Sequence, residues 1–223
     1  ILETYTKEYS AEYQSQALID LAKKLKKKIK NLNQIKKIDI YTSHHTHYVI
    51  GTGANDPQKM DPNASRETLD HSIMYIFAVA LEDADWHHVK SYTKKRANKK
   101  STIKIWRCIK THEDKKWTKK YHDPDPKKKS FGAKVIVTLN NGKKIIEELE
   151  RADAHPYGKR PFERKDYINK FKILTENIIS KKESDRFLKD VQNLKKLKNN
   201  QLTKLNIEVS RRYLKSNNKK GIF

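Results

Sequence analysis

The sequence predicts an α+β domain: a two-layer arrangement with an antiparallel-rich sheet, helices on one face of it, and further helices at the C-terminal end. Three observations point there. An Asn-Gly pair at Asn141-Gly142 sits between two alternating runs, the mark of a β-hairpin. Apolar residues recur at spacings of three and four on both sides of that hairpin, as in amphipathic helices. Only 35% of residues are hydrophobic and 35% are charged, which suits a thin core with protruding helices better than a wide, doubly covered sheet.

The elements follow in order. Residues 11–30 read as a helix through Ala17, Leu18, Leu21, Ala22, Leu25 and Ile29, with Lys23, Lys24, Lys26, Lys27, Lys28 and Lys30 facing outward. Lysine stems beside an apolar stripe suit a helix laid on a sheet. Residues 36–42 alternate through Ile38, Ile40 and Thr42, a strand. Residues 43–63 are rich in turn formers, with Gly51, Gly53, Asn55, Asp56-Pro57 and Asp61-Pro62. Ser65 caps a helix whose face is Leu69, Ile73, Ile76, Phe77 and Ala80. Short helices are expected over 85–92 and 103–106. The hairpin spans 133–152: Val135, Val137 and Leu139 lead into a type I′ turn, and Ile145, Ile146 and Leu149 mark the return. A loop follows at 155–161. One helical stripe runs through Tyr167, Ile168, Phe171, Leu174, Ile178 and Ile179, and Ser184 caps another with Phe187, Leu188, Val191 and Leu194. The expected division is 1–160 for the sheet domain and 161–223 for the terminal helices and tail.

Charge is the strongest compositional signal: 50 basic and 27 acidic residues give +23. Polyanion binding is the first hypothesis for such a chain. Only nine of the 50 are arginine, however, and readers of nucleic acid rely on arginine forks and stacked aromatics. Solvated lysine faces are the expectation, with neither nucleic acid nor membrane as partner. No apolar run approaches the ~20 residues that span a bilayer. The opening Ile1-Leu2-Glu3-Thr4-Tyr5, without an initiator Met, reads as the middle of a longer chain. Cys108 is the sole cysteine, which excludes an internal disulfide and a multi-cysteine metal or iron–sulfur site.

His44-His45-Thr46-His47 places three imidazoles in four residues, but strand alternation would separate His44 from His45, and no Cys or carboxylate lies at ligand spacing. No metal is expected. Gly51-x-Gly53 is not a dinucleotide fingerprint. The more useful set is polar and lies in loops: Lys7 and Glu12 before the first helix, His71 within an apolar helical stretch, and His155, Lys159 and Arg160 after the hairpin. Lysine and arginine suit carboxylates, and histidine suits proton transfer near neutral pH. The plain alternatives are a hydrogen-bonded core histidine for His71 and a solvated turn for Lys159 and Arg160.

Several stretches resemble the 2-methylcitrate dehydratase branch of the MmgE/PrpD family. They are Thr6-Lys7-Glu8-Tyr9-Ser10-Ala11-Glu12-Tyr13-Gln14-Ser15-Gln16, the block from His44-His45-Thr46-His47-Tyr48 to Ala54-Asn55-Asp56-Pro57, Arg66-Glu67-Thr68-Leu69-Asp70-His71-Ser72-Ile73-Met74-Tyr75, Tyr121-His122-Asp123-Pro124, the 155–161 loop and Lys220-Gly221-Ile222-Phe223. The resemblance implies loss of water from 2-methylcitrate to give 2-methyl-cis-aconitate in propionate breakdown, the methylcitrate cycle, with no cofactor. It implies a large all-helical domain, absent here, joined to a smaller α+β domain with the site in the cleft between them. This chain would be the smaller domain plus terminal helices that pack on the larger one, in a protein that is a homodimer and cytoplasmic (in the mitochondrial matrix of a eukaryote).

The resemblance assigns Lys7 to carboxylate binding. It puts Glu12 where the decarboxylase branch has a histidine, makes His71 the candidate for proton transfer, and leaves Lys159 and Arg160 in a loop the family keeps basic. Other activities of the family, cis-aconitate decarboxylation or epimerisation, and a lysine-rich polyanion-binding remnant are the alternatives.

Overall fold

A computed structural model describes residues 6–210. The stretches Ile1–Tyr5 and Lys220–Phe223, both used in the sequence argument, lie outside the described residues. The chain divides into two compact units between Pro161 and Phe162.

In the first unit a 3-10 turn, Tyr13–Ser15, leads into α1 (Gln16–Lys28), then β1 (Ile35–Thr42). Next come α2 (Arg66–Asp70), α3 (Ile73–Asp83), α4 (Lys94–Ala97), α5 (Lys100–Arg107), β2 (Ile109–Glu113), α6 (Lys115–Tyr121), β3 (Ala133–Leu139) and β4 (Lys144–Leu149). The four strands form one sheet in the order β2-β1-β3-β4. β1 pairs parallel with β2 and antiparallel with β3, and β3 pairs antiparallel with β4. The α+β class and the antiparallel-rich sheet follow as the alternation predicts. The short β2 was missed: its five residues carry only Ile109 and Thr111 inward, and its partner is about 70 positions away in sequence.

Pleating sends Ile38 and Ile40 of β1 and Val135 and Val137 of β3 to one face, where all four are fully buried. α1 and α3 pack there side by side, with α5 against α3. α3 is apolar all round, and every residue from Ile73 to Leu81 is buried, as a helix enclosed by neighbours requires. The opposite sheet face carries Lys37, Asp39, Tyr41, His112 and Lys134. There Asp39 accepts from Lys37 Nζ at 2.8 Å and His112 Nε2 at 2.7 Å, and Lys134 lies over the Tyr41 ring.

Three local expectations need correcting. The single helix expected after Ser65 is two, because Ser72 breaks it and accepts from Tyr75 N as the cap of α3. The hairpin turn is not type I′: only Gly142 has positive φ, at 82°, and its N–H bonds the Leu139 carbonyl at 2.9 Å. That is a three-residue loop ending in one left-handed residue. In the second unit, α7 (Arg164–Leu174) ends before Ile178 and Ile179, and Asn177 turns the chain at φ 64°. α8 (Lys181–Gln192) is capped by Ser180, not Ser184; Ser184 is buried inside the helix. Neither α7 nor α8 buries an apolar residue. Among the described residues no helix is long and apolar enough to cross a membrane.

Candidate active site

The histidine-rich stretch is helical. His44 and His45 lead into a π-turn, Thr46–Ile50, so strand alternation is not what separates them. Different partners do. His44 Nδ1 lies 3.1 Å from Glu113, His47 Nδ1 lies 2.7 Å from Thr111 Oγ1, and His45 stacks on Tyr121. Gly51 and Gly53 let this turn close: a Cβ on Gly51 would meet Thr111 Oγ1 at 2.4 Å, and one on Gly53 would meet the His47 ring at 2.5 Å. Among the described residues no group of three His, Cys, Asp or Glu is placed to hold a metal ion.

Lys7 is half-buried at the start of the described chain. Glu12 caps the following 3-10 turn, its carboxylate accepting from the Tyr13 amide. His71 is not a core histidine. It ends α2, is exposed, and its Nδ1–H donates to the Glu67 carbonyl at 2.9 Å. That bond uses Nδ1 and leaves Nε2 as the ring nitrogen available to another partner. Lys159 and Arg160 are exposed, and Arg160 Nη2 donates to both oxygens of Glu8 at 2.6 and 2.7 Å.

Three segments therefore meet around residues 8–10. Arg160 reaches Glu8 from the loop after the hairpin. Tyr92 Oη lies 2.9 Å from the Ser10 carbonyl and also bonds the Asp70 carboxylate, one residue before His71. Trp86 Nε1 donates to the same Ser10 carbonyl at 3.1 Å. Burial first, and then the Asp70 carboxylate, push the Tyr92 hydroxyl far up, so it stays a donor. The described contacts tie the neighbours of the candidate side chains together around residues 8–10. The enclosed space nearby, lined by Tyr13, Gln16, Phe131, Arg151 and His155, has a volume of about 10 Å³, room for one water, and none of the five candidates lines it.

His155 is buried, and its Nδ1 accepts the Tyr157 N–H at 3.0 Å. Burial and then the Arg151 charge push it down to about 4, so it is neutral at pH 7. A folded value below the ordinary 6.5 contributes stability above pH 6.5 that is lost as pH falls through 4. Denaturant midpoints should show about 2 kcal/mol lost between pH 7 and pH 5 through this residue, and His155→Asn should remove that part of the slope.

Sequence reasoning missed Gln16 and Asp20. Both are buried on α1, and both bond the segment that carries Lys7 and Glu12. Gln16 Oε1 accepts from Tyr9 N at 3.0 Å, and its Nε2 donates to the carbonyls of Tyr9 and Ala11 at 3.1 and 3.2 Å. Two polar residues four apart among buried apolar ones were the available signal.

The family model for the MmgE/PrpD C-terminal domain matches residues 9–196, and the chain belongs to the MmgE/PrpD family, which includes dehydratases of the lyase class.

Proposed function

We propose that this chain supplies the carboxylate-holding share of a hydro-lyase site that converts 2-methylcitrate to 2-methyl-cis-aconitate. The reaction takes a proton from the carbon next to a carboxylate, forms the C=C bond, and expels the tertiary hydroxyl, which leaves as water once protonated. It needs a base, an acid and cations for three carboxylates. The observation that carries the reading is the meeting of three segments around residues 8–10, which ties the neighbours of Lys7, His71 and Arg160 into one hydrogen-bonded unit. In this reading Lys7 binds a substrate carboxylate, with Lys159 at the rim. His71 exchanges a proton through Nε2. Arg160 is held by Glu8, so its part is to fix the loop.

The remaining groups would come from a second, helical domain, as the family resemblance implies. Two features support that. The space lined by Tyr13, Gln16 and His155, at about 10 Å³, is far too small for a tricarboxylate. In the second unit Tyr167, Ile173 and Val191 are exposed on helices with no buried apolar face of their own, which suits terminal helices that pack on another domain.

The test is absorbance of the conjugated product from 2-methylcitrate, with the chain alone and with the chain joined to a helical domain of the family. Carbon dioxide release from cis-aconitate is assayed alongside. Turnover of 2-methylcitrate by the joined protein only is the expected result. Turnover by the chain alone overturns the two-domain reading, and decarboxylation without dehydration overturns the reaction.

A further inference from the structure

We propose that Asp20 is a positioning residue, a buried latch that joins the segment carrying Lys7 to the loop carrying Lys159 and Arg160. Its kinetic consequence rests on the dehydratase reading; its geometry does not.

Asp20 is 4% exposed on α1. Its two oxygens face two donors from separate parts of the chain: Oδ1 accepts the Tyr9 hydroxyl at 2.7 Å, and Oδ2 accepts the Asp153 amide at 2.8 Å. From there the contacts close into a ring. Tyr9 follows Glu8, Glu8 accepts from Arg160 Nη2, and the Arg160 amide donates to the Asp153 carbonyl at 2.7 Å. Lysines one turn further along α1 secure both arms, with Lys23 Nζ at 3.1 Å from Tyr9 Oη and Lys24 Nζ at 3.4 Å from the Asp153 carboxylate. The loop has no slack, because a Cβ on Gly158 would meet the Ala152 carbonyl at 2.3 Å.

The chemistry calls for a carboxylate at this position. Lys23 donates to the lone-pair side of Tyr9 Oη, so the tyrosine proton points to Asp20, while the Asp153 N–H can only donate. An amide at position 20 has one acceptor for two donors and leaves one arm facing an N–H group. The exposed Glu8–Arg160 pair is the rim of this ring, and Asp20 is its buried closure. Exposed ion pairs hold little by themselves, whereas removing one partner of a buried hydrogen bond exposes the full cost of desolvation. The latch therefore fixes the distance between Lys7 and the basic loop from beneath, without touching substrate.

The experiment uses the chain joined to a helical domain of the family with Asp20→Asn, and Tyr9→Phe as a milder break of one arm should the first variant fail to fold. Hydrogen exchange reads the amides of Asp153 and Arg160, and steady-state kinetics read KM and kcat separately. Glu82→Gln, which weakens an ion cluster on α3, controls for lost stability. The expected result is faster exchange at both amides and a KM for 2-methylcitrate raised about tenfold, with kcat within about threefold. The Glu82→Gln control should leave KM in place. Unchanged exchange in both latch variants overturns the latch, and faster exchange with an unchanged KM overturns its positioning role. Absence of turnover in the unsubstituted enzyme would sink the dehydratase reading alone, because the exchange measurement still decides the latch.

Discussion

On the dehydratase reading, Lys7→Ala in the chain joined to a helical domain of the family is expected to lower kcat/KM for 2-methylcitrate by about 100-fold, most of it in KM. A charge-assisted hydrogen bond to a carboxylate contributes about 1.5–3 kcal/mol, and each 1.36 kcal/mol is a factor of ten in rate. Lys7 is half-buried and adjoins the residue that Arg160 grips, so its ammonium works from an ordered backbone. Lys7→Arg keeps the charge but not the compact donor, and should recover all but about tenfold of the activity. Lys159→Ala, at an exposed rim, should cost no more than about threefold. Product absorbance measures all three, with thermal melts to verify folding. A Lys7→Ala enzyme within threefold of the unsubstituted one would remove Lys7 from the site.

What the sequence disclosed about this site, and what it hid, follows from how polar residues are read. Lys7, Glu12 and His71 stood out because they sit in or beside loops that resemble a known family. Asp20 did not. Reading α1 for its apolar stripe assigns every polar residue to the solvent side, and the run of lysines from Lys23 onward reinforces that. Yet Gln16 to Ala22 is buried throughout, and Asp20 satisfies partners that lie 11 and 133 positions away. No local pattern encodes such partners. The same limit applies to Arg160: its residue type suits a substrate carboxylate, and only the fold shows that its Nη2 is bound to Glu8.

For the fold, local signals were legible and distant ones were not. The hairpin and the helices of α1 and α3 rest on periodicities within a dozen residues. β2 depends on a parallel neighbour across an intervening set of helices. Ser72 ends one helix and starts another because its side chain caps Tyr75 N, a choice that the apolar face running through both helices conceals. The turn formers of 43–63 predict a loop there, and the π-turn that forms instead at Thr46–Ile50 depends on Thr111, more than 60 residues later.

The second large effect concerns stability and lies away from the site. Glu82, 11% exposed at the end of α3, accepts from Ser101 and Thr102 at 2.5 Å each and pairs with Lys99 and Arg96 at 2.9 Å each. Burial pushes its carboxyl up, but the hydrogen bonds from Ser101, Thr102 and Lys99 and the Arg96 charge outweigh it and hold the group down to about 2. Glu82→Gln leaves Arg96 with Asp83 as its one charged partner among the described residues, and should cost roughly 3 kcal/mol at pH 7, a Tm lower by about 6–12 °C. The pH dependence follows from the depressed value. Stability from Glu82 is fully present above its ordinary 4.5 and is lost as pH falls through 2, about 3 kcal/mol in all. The Tm gap between the unsubstituted protein and Glu82→Gln should therefore stay constant from pH 7 to about 5 and narrow below 4.5. His155 charges at higher pH and is common to both proteins, so it cancels in the difference. A gap that stayed constant down to pH 3 would mean that this cluster stabilises the domain by packing alone, and not by the charge on Glu82.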